Sequence, residues 1–316
     1  MDLSAIVLAG GVGSRLRPLT DDCPKPLLPL GIEPLVGYQL RRLAAVGVSR
    51  VVLATGYLAD RFARELGDGD RWGLQLRHSV EERPLGTGGA LRMAMHALPD
   101  ADRVVVLNGD LLSSHDLAAQ LSGVGSARAC LHVREVSDVA PYGRVRCDAS
   151  GRVTGFAEKT GSGPGLVNAG TYVVRAELLR ALPTGPSSWE RDVLPKLLAD
   201  GTPVVAWQGD GYFRDVGSPS AYRQASVDAV TGALPDALTA PAERYAAPGA
   251  HVVIDARLTG GSCVYDGARV DARALLDATV VLPGAHVGEG AQLTRCVVAA
   301  DAVVDAGDIR SDAVIT

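Results

Sequence analysis

The sequence predicts an α/β fold: a Rossmann-like, mostly parallel sheet followed by a short left-handed parallel β-helix of hexapeptide repeats. Three observations predict it. Short β-prone runs alternate with segments of helical period through the first 110 residues, as strands joined by crossover helices require. From residue 128 the pattern changes and strand follows strand. Beyond residue 250 apolar residues recur every six, at Val264, Val270 and Leu276 and again at Val281, Val287 and Leu293, with Gly-Ala steps at a fixed offset. That repeat turns one apolar residue inward per flat face of a coil.

Taken in order, residues 5–9 are apolar and β-prone and break into Gly10, Gly11 and Gly13. Residues 33–46 have helical spacing and stop at Gly47; 50–55 reads as a buried strand, 58–66 as a helix and 74–79 as a strand. A helix over 89–98 precedes Pro99, and 103–107 is the strongest strand, closing on Asn108-Gly109-Asp110. Strands are then expected at 128–136, 143–147, 153–158, 166–174 and 203–207, with helices at 176–182, 190–199 (kinked or divided by Pro195) and 219–230. Residues 1–233 are expected to form one domain, the Ala- and Pro-rich stretch 234–249 a connector, and 250–316 the β-helix, whose register slips near Ala278.

The chemistry concentrates at residues 5–30. Glycines after a strand let backbone N–H groups approach a phosphate chain, and Arg15, Arg17 and Lys25 follow to neutralise it. Lysine occurs only at Lys25, Lys159 and Lys196 among 31 Lys and Arg residues, and at Lys25 and Lys159 a compact ammonium suits a phosphate oxygen better than a planar fork does. A dinucleotide fingerprint fails because Arg15 stands where a third glycine is needed, and no Gly-Lys-Ser/Thr step exists for a Walker loop. In an open α/β sheet ligands sit beyond the carboxyl ends of the strands, which is where both the glycine loop and Asn108-Gly109-Asp110 fall.

Asp110 and Asp215 are candidate Mg²⁺ ligands, since Mg²⁺ bound to a triphosphate takes one or two carboxylates plus phosphate oxygens. Either alone is more often a turn or helix-cap residue, and their weight comes from occurring together with the glycine loop. The Gly-rich segment from Glu81 to Gly89 can lay a base against bare backbone, or be a helix N-terminus with Thr87 as its cap. Glu158-Lys159 can hold sugar hydroxyls and a sugar phosphate, or be a surface ion pair. No histidine has metal-ligand spacing and no G-x-S-x-G elbow occurs, so zinc or serine hydrolysis has no foothold.

Composition bounds the partners. Net charge is −5 with 4% aromatic residues, which argues against a nucleic-acid surface. Five cysteines without C-x-x-C spacing suit reduced thiols in the cytoplasm. No apolar run approaches the ~20 residues of a bilayer span, so no membrane partner is expected.

Read together, LAGGVGSRLRPLT, PKPLLPL, PLGTGGAL, LNGD, YGRV, FAEK, NAG and FRDVG, in this order, resemble the sugar-1-phosphate nucleotidyltransferase family over about the first 230 residues. Within it the chain is most similar to guanylyltransferases of mannose 1-phosphate and of D-glycero-α-D-manno-heptose 1-phosphate. The resemblance implies that fold, a nucleoside triphosphate (GTP favoured) and a sugar 1-phosphate as substrates, and Mg²⁺ on Asp110 and Asp215. It implies that Leu8, Ala9, Gly10, Gly11, Gly13, Arg15, Pro84, Leu85, Gly86, Thr87, Asn108 and Gly109 hold the nucleotide. Arg15, Lys25 and Asp110 would carry catalysis, and Gly143, Glu158, Lys159, Asn168 and Gly170 would hold the sugar phosphate. The tail is similar to coils that pack subunits together, which implies a homo-oligomer. Ser187-Ser188-Trp189-Glu190 departs from the usual pattern and leaves the sugar pocket open. A catalytically silent sugar-nucleotide-binding subunit of the same fold is the rival reading.

Overall fold

The computed structural model describes residues 3–158, 161–238 and 240–316. The chain forms two compact units, Met1–Gly11 with Gln39–Phe213, and Val12–Tyr38 with Arg214–Thr316.

The first half of the chain reads β1 (Leu3–Leu8), a short hairpin of β2 (Pro29–Leu30) and β3 (Glu33–Pro34), α1 (Leu35–Ala45), β4 (Arg50–Thr55), α2 (Ala59–Leu66), β5 (Gln75–Val80), α3 (Gly86–Ala94), β6 (Arg103–Asn108), β7 (Leu111–Ser113) and α4 (Leu117–Gly123). It continues with β8 (Ala129–Val136), β9 (Gly143–Cys147), β10 (Val153–Glu158), β11 (Gly165–Arg175), α5 (Ala176–Arg180), a π-turn at Trp189–Val193, α6 (Leu194–Ala199), β12 (Val204–Gln208), β13 (Phe213–Asp215) and α7 (Pro219–Thr231).

A nine-stranded sheet organises the first unit in the order β10-β9-β11-β6-β1-β4-β5, with β8 on β11 and β12 on β8. The run β6-β1-β4-β5 is parallel, whereas β9, β10, β11 and β8 pair antiparallel. Buried runs such as Val104–Leu107 explain the parallel half, because strands covered on both faces read as continuous apolar sequence. The register sets Leu8 level with both Ala54 and Asn108, so the turns after β1, β4 and β6 open on one edge.

The expected helix over 89–98 begins three residues earlier, at Gly86, because the Glu81 carboxylate accepts from the Leu85 N–H at 2.8 Å and closes the turn ahead of it. The expected helix over 190–199 is divided: the π-turn comes first, and Pro195 sits in the opening turn of α6, where its missing N–H costs nothing. Sequence reading passed over β7, α4 and β13.

In the second unit, α7 is capped by Ser218, whose hydroxyl accepts from the Ala221 N–H, and stops at Gly232 with φ of 85°. Beyond it, three parallel ladders of five, four and four strands form a left-handed β-helix. The first strand, Arg244–Ala246, falls inside the stretch read as connector. Arg257 pairs with Leu275, eighteen residues on, whereas Leu275 pairs with Gln292 and Gln292 with Ile309, seventeen on. The slip seen near Ala278 is this change of coil length. Ala278, Arg295 and Asp312 take successive left-handed corners, with φ of 46°, 52° and 51°.

Candidate active site

Gly10 and Gly11 leave the carboxyl end of β1. Nothing lies within 4 Å of a Cβ built on Gly11, and one built on Gly10 would lie 3.4 Å from the Glu81 carboxylate. The amides here are not all open: Ala9 N–H donates to the Ala54 carbonyl at 2.8 Å, and Leu8 accepts from Gly109 N–H at 2.8 Å. Leu8 and Ala9 therefore fix the edge from which the glycine loop departs.

Gly109 closes against that edge, since a side chain there would meet the Leu8 carbonyl oxygen at 2.5 Å. Gln39, a residue the motif search did not single out, donates to the Asn108 and Leu111 carbonyls at 2.9 and 2.6 Å. The turn that presents Asp110 is thus gripped on both sides. Gly170, at φ of 65°, packs where a Cβ would lie 2.0 Å from Leu111 and 3.0 Å from the Asn108 amide. Asn108 and Gly170, far apart in sequence, are neighbours.

On the antiparallel strands Gly143 and Glu158 pair across β9 and β10, and a Cβ at Gly143 would strike the Glu158 carboxylate at 2.6 Å. Glycine there makes room for that carboxylate. Asn168 lies at the bulge where β11 shifts register against β8, donates to the Tyr172 hydroxyl at 2.6 Å, and accepts from Gly170 N–H at 3.2 Å. Lys159 lies outside the described residues.

The second glycine segment opens α3, as the helix alternative expects. Gly86, Gly88 and Gly89 pack against the stretch 185–187: Cβ atoms there would meet Ser187 O, Ser187 Oγ and Gly185 O, each at 2.6 Å. Gly88 N–H donates to Ser187 O at 2.8 Å. Thr87 caps no helix; its hydroxyl donates to Glu190 at 2.8 Å and accepts from Trp189 N–H at 2.7 Å. Pro84 and Gly86 are exposed at the mouth of this segment and Leu85 is half-buried. Glu81 reaches both glycine segments, and burial pushes its carboxyl above the usual range against the opposing Leu85 N–H bond.

In the second unit Gly13 turns the loop at φ of 65°, its carbonyl accepting from the Thr20 hydroxyl at 3.0 Å. Lys25, only 7% exposed, places its ammonium 3.9 Å from Asp215. A Cβ on Gly217 would lie 3.1 Å from the Arg15 guanidinium and 3.2 Å from the Asp215 carboxylate. Arg15, Lys25 and Asp215, drawn from both ends of the sequence, converge in one place. The loop after Lys25 is held by α7 and the β-helix: Tyr222 OH donates to Pro29 O at 2.6 Å, and Gly31 N–H donates to Tyr265 OH at 3.1 Å.

A Rossmann-like sheet with glycines at its carboxyl edge in the first unit, and a lysine, an arginine and an aspartate gathered in the second, define a protein that handles nucleotide phosphates. Residues 4–232 match the Nucleotidyl transferase family, and the chain belongs to it. It is 39% identical to a mannose-1-phosphate guanylyltransferase of Mycobacterium tuberculosis over 93% of this chain and 83% of that protein. A probable mannose-1-phosphate guanylyltransferase 3 of rice is 33% identical over 94% of this chain and 81% of its own. Among solved structures, HddC from Yersinia pseudotuberculosis superposes with a TM-score of 0.62 at 30% identity, covering 72% of this chain and 98% of that one, and has also been solved with GMP-PN.

Proposed function

We propose that this enzyme transfers GMP from GTP to a sugar 1-phosphate of the mannose or heptose type, giving a GDP-sugar and pyrophosphate. The observation that carries the reading is the Lys25–Asp215–Arg15 cluster, because it gathers two cations for phosphate oxygens and a carboxylate for a divalent ion in one place. The names of the relatives support guanine and the sugar class.

A phosphate oxygen of the sugar 1-phosphate attacks the α-phosphorus. The new P–O bond forms as the bond from that phosphorus to the bridging oxygen of the β-phosphate breaks, and pyrophosphate leaves. The nucleophile is already an anion, so no proton needs to move; catalysis is alignment and charge neutralisation. Lys25 neutralises the α-phosphate and the incoming phosphate, and Arg15 lies beside the leaving pyrophosphate. Gly10, Gly11 and Gly13 let the loop follow the triphosphate chain, Pro84 to Thr87 border the base, and Gly143, Glu158, Lys159, Asn168 and Gly170 border the acceptor.

Mg²⁺ suits the donors present: Asp110 and Asp215 offer hard oxygens, and among the described residues no group of three or more His, Cys, Asp or Glu gathers. When bound, the ion would supply further charge neutralisation on the triphosphate. No helix among the described residues is long and apolar enough to cross a membrane, and five free thiols suit a reducing cytoplasm. Exposed Ile254, Val303 and Ile309 on the coils support a homo-oligomer formed through the β-helix.

Pyrophosphate release with Mg²⁺, each of the four nucleoside triphosphates, and mannose or heptose 1-phosphate tests the reading. GTP is expected to turn over best. Nucleotide binding without turnover on any sugar phosphate would make the protein a binding subunit.

A further inference from the structure

Glu190 belongs to none of the motifs, yet in the first unit it is the hub of a hydrogen-bonded chain. One carboxylate oxygen accepts from the Thr87 hydroxyl at 2.8 Å and the other from the Tyr172 hydroxyl at 3.2 Å. Tyr172 in turn accepts from the Asn168 amide at 2.6 Å, and Asn168 accepts from Gly170 N–H. Thr87 accepts from Trp189 N–H, so both hydroxyls reach Glu190 as donors. The two donors reach separate oxygens, which a carboxylate offers and a glutamine amide, with one oxygen and one NH₂, does not.

The surroundings hold this hub in place. Tyr172 and Trp189 are fully buried and meet edge to face, with ring centroids 5.8 Å apart. Burial, and then the charge of Glu190, hold the Tyr172 hydroxyl well above its usual range, so it stays protonated and donates. Glu190 sits in the π-turn Trp189–Val193, a strained turn type that collects at functional sites, and the turn is capped by Ser188.

We propose that Glu190 is a positioning residue that couples nucleotide binding to acceptor binding, by tying the Pro84–Thr87 loop to the Asn168–Gly170 turn through Tyr172. The proposal rests on the assignment above of those two segments to the nucleotide and the sugar phosphate. Whichever ligand arrives first orders its own segment and, through the shared carboxylate, the other; the second ligand then meets a segment already fixed. Ser187-Ser188-Trp189-Glu190, the stretch that departs from the family pattern, is thereby the joint between the two sites.

The test uses the full chain with Mg²⁺ and α,β-methylene GTP, in which the bond to be broken is inert. Calorimetry gives its Kd with and without saturating mannose 1-phosphate. In the native protein the sugar phosphate is expected to tighten the nucleotide about 5- to 10-fold. Glu190→Gln is expected to bring that factor below about twofold while the Kd of each ligand alone shifts less than about threefold. Tyr172→Phe should do the same from the acceptor side; should that buried variant fail to fold, Glu190→Gln, at a half-buried position, carries the test. A coupling factor retained in folded Glu190→Gln overturns the proposal, as does a native factor of one with both ligands bound. Failure of the native protein to bind either ligand overturns the assigned function as well.

Discussion

Two glycine-rich segments of this chain look alike in sequence and differ in what their glycines do. At Gly11 a side chain would meet nothing, whereas at Gly86, Gly88 and Gly89 it would meet Ser187 or Gly185 at 2.6 Å. At Gly11 the first segment leaves its backbone bare. The second lets two stretches of protein close on each other, and its threonine is engaged by Glu190. Glycine content therefore signals close approach, and only the surroundings say whether a phosphate or another backbone approaches.

The largest expected effect is on chemistry in the first region. Lys25→Ala should lower kcat by on the order of 10²-fold or more, by analogy with removing one preorganised charge-stabilising group, while the protein stays folded. Steady-state kinetics with a circular dichroism spectrum check this. Unchanged turnover would remove Lys25 from the site.

Gly89→Ala and Gly11→Ala set the two regions directly against each other. At Gly89 the new methyl meets the Gly185 carbonyl and the Leu85 Cβ, so a loss of about 1–3 kcal/mol of stability is expected. At Gly11 the methyl meets open space, so stability should hold within about 0.5 kcal/mol while KM for the nucleotide rises. Chemical denaturation of the pair reads the difference, and equal losses would erase the distinction drawn here.

A pH series adds a region remote from both loops. His115 and His132 stack with centroids 3.7 Å apart, buried beside Trp207; His115 is bonded to Ser113 and Gln120, and His132 to the Gly209 carbonyl. Burial first, then His132, Arg42 and Arg134, drive His115 down to about 2, and burial first drives His132 down to about 4. Both stay neutral when folded and take a proton when unfolded below 6.5, so the unfolded state binds more protons. Stability is full above pH 6.5 and falls as pH drops toward about 4, by about 1.4 kcal/mol per unit for each histidine once the unfolded form is charged. Urea midpoints at pH 7, 6 and 5 measure it, and His132→Asn should flatten the slope.

The smallest effect is at a coil corner. Ala278 holds φ of 46°, where glycine is at ease, so Ala278→Gly should leave the melting temperature level or raise it, by up to about 1 kcal/mol in stability. A clear loss would show that the corner methyl packs.

How much of this was legible follows the same logic. β4, β9 and β10 have the bounds read from sequence, because apolar or alternating runs meet sharp turns at both ends. β7 and α4 leave a weak signal because Leu111–Gly123 is short and its leucines are interrupted by Ser, His, Asp and Gln, with its cap, Asp116, in plain view but no long apolar period behind it. Gly143 and Glu158 were picked from motifs, and the sheet register joins them. Gln39 left no sequence signal, and Glu190 showed only within the departing stretch Ser187–Glu190, since Gln39 acts on Asn108, 69 residues away, and Glu190 on Thr87, 103 away. The change from eighteen- to seventeen-residue coils was visible as a slip, though its cause needed the paired strands.

The bond from Gly31 to Tyr265 joins residues 234 positions apart. On a ribosome the loop bearing Lys25 emerges among the first segments, yet Tyr222 and Tyr265, which hold it, are made only in the last third of the chain. Ring closure over such a span comes late and grows slowly in entropic cost with length. A nascent or truncated chain ending before the coils would therefore keep the Tyr222 bond and lack the Tyr265 one, so synthesis of the tail completes the anchoring of the loop that bears Lys25.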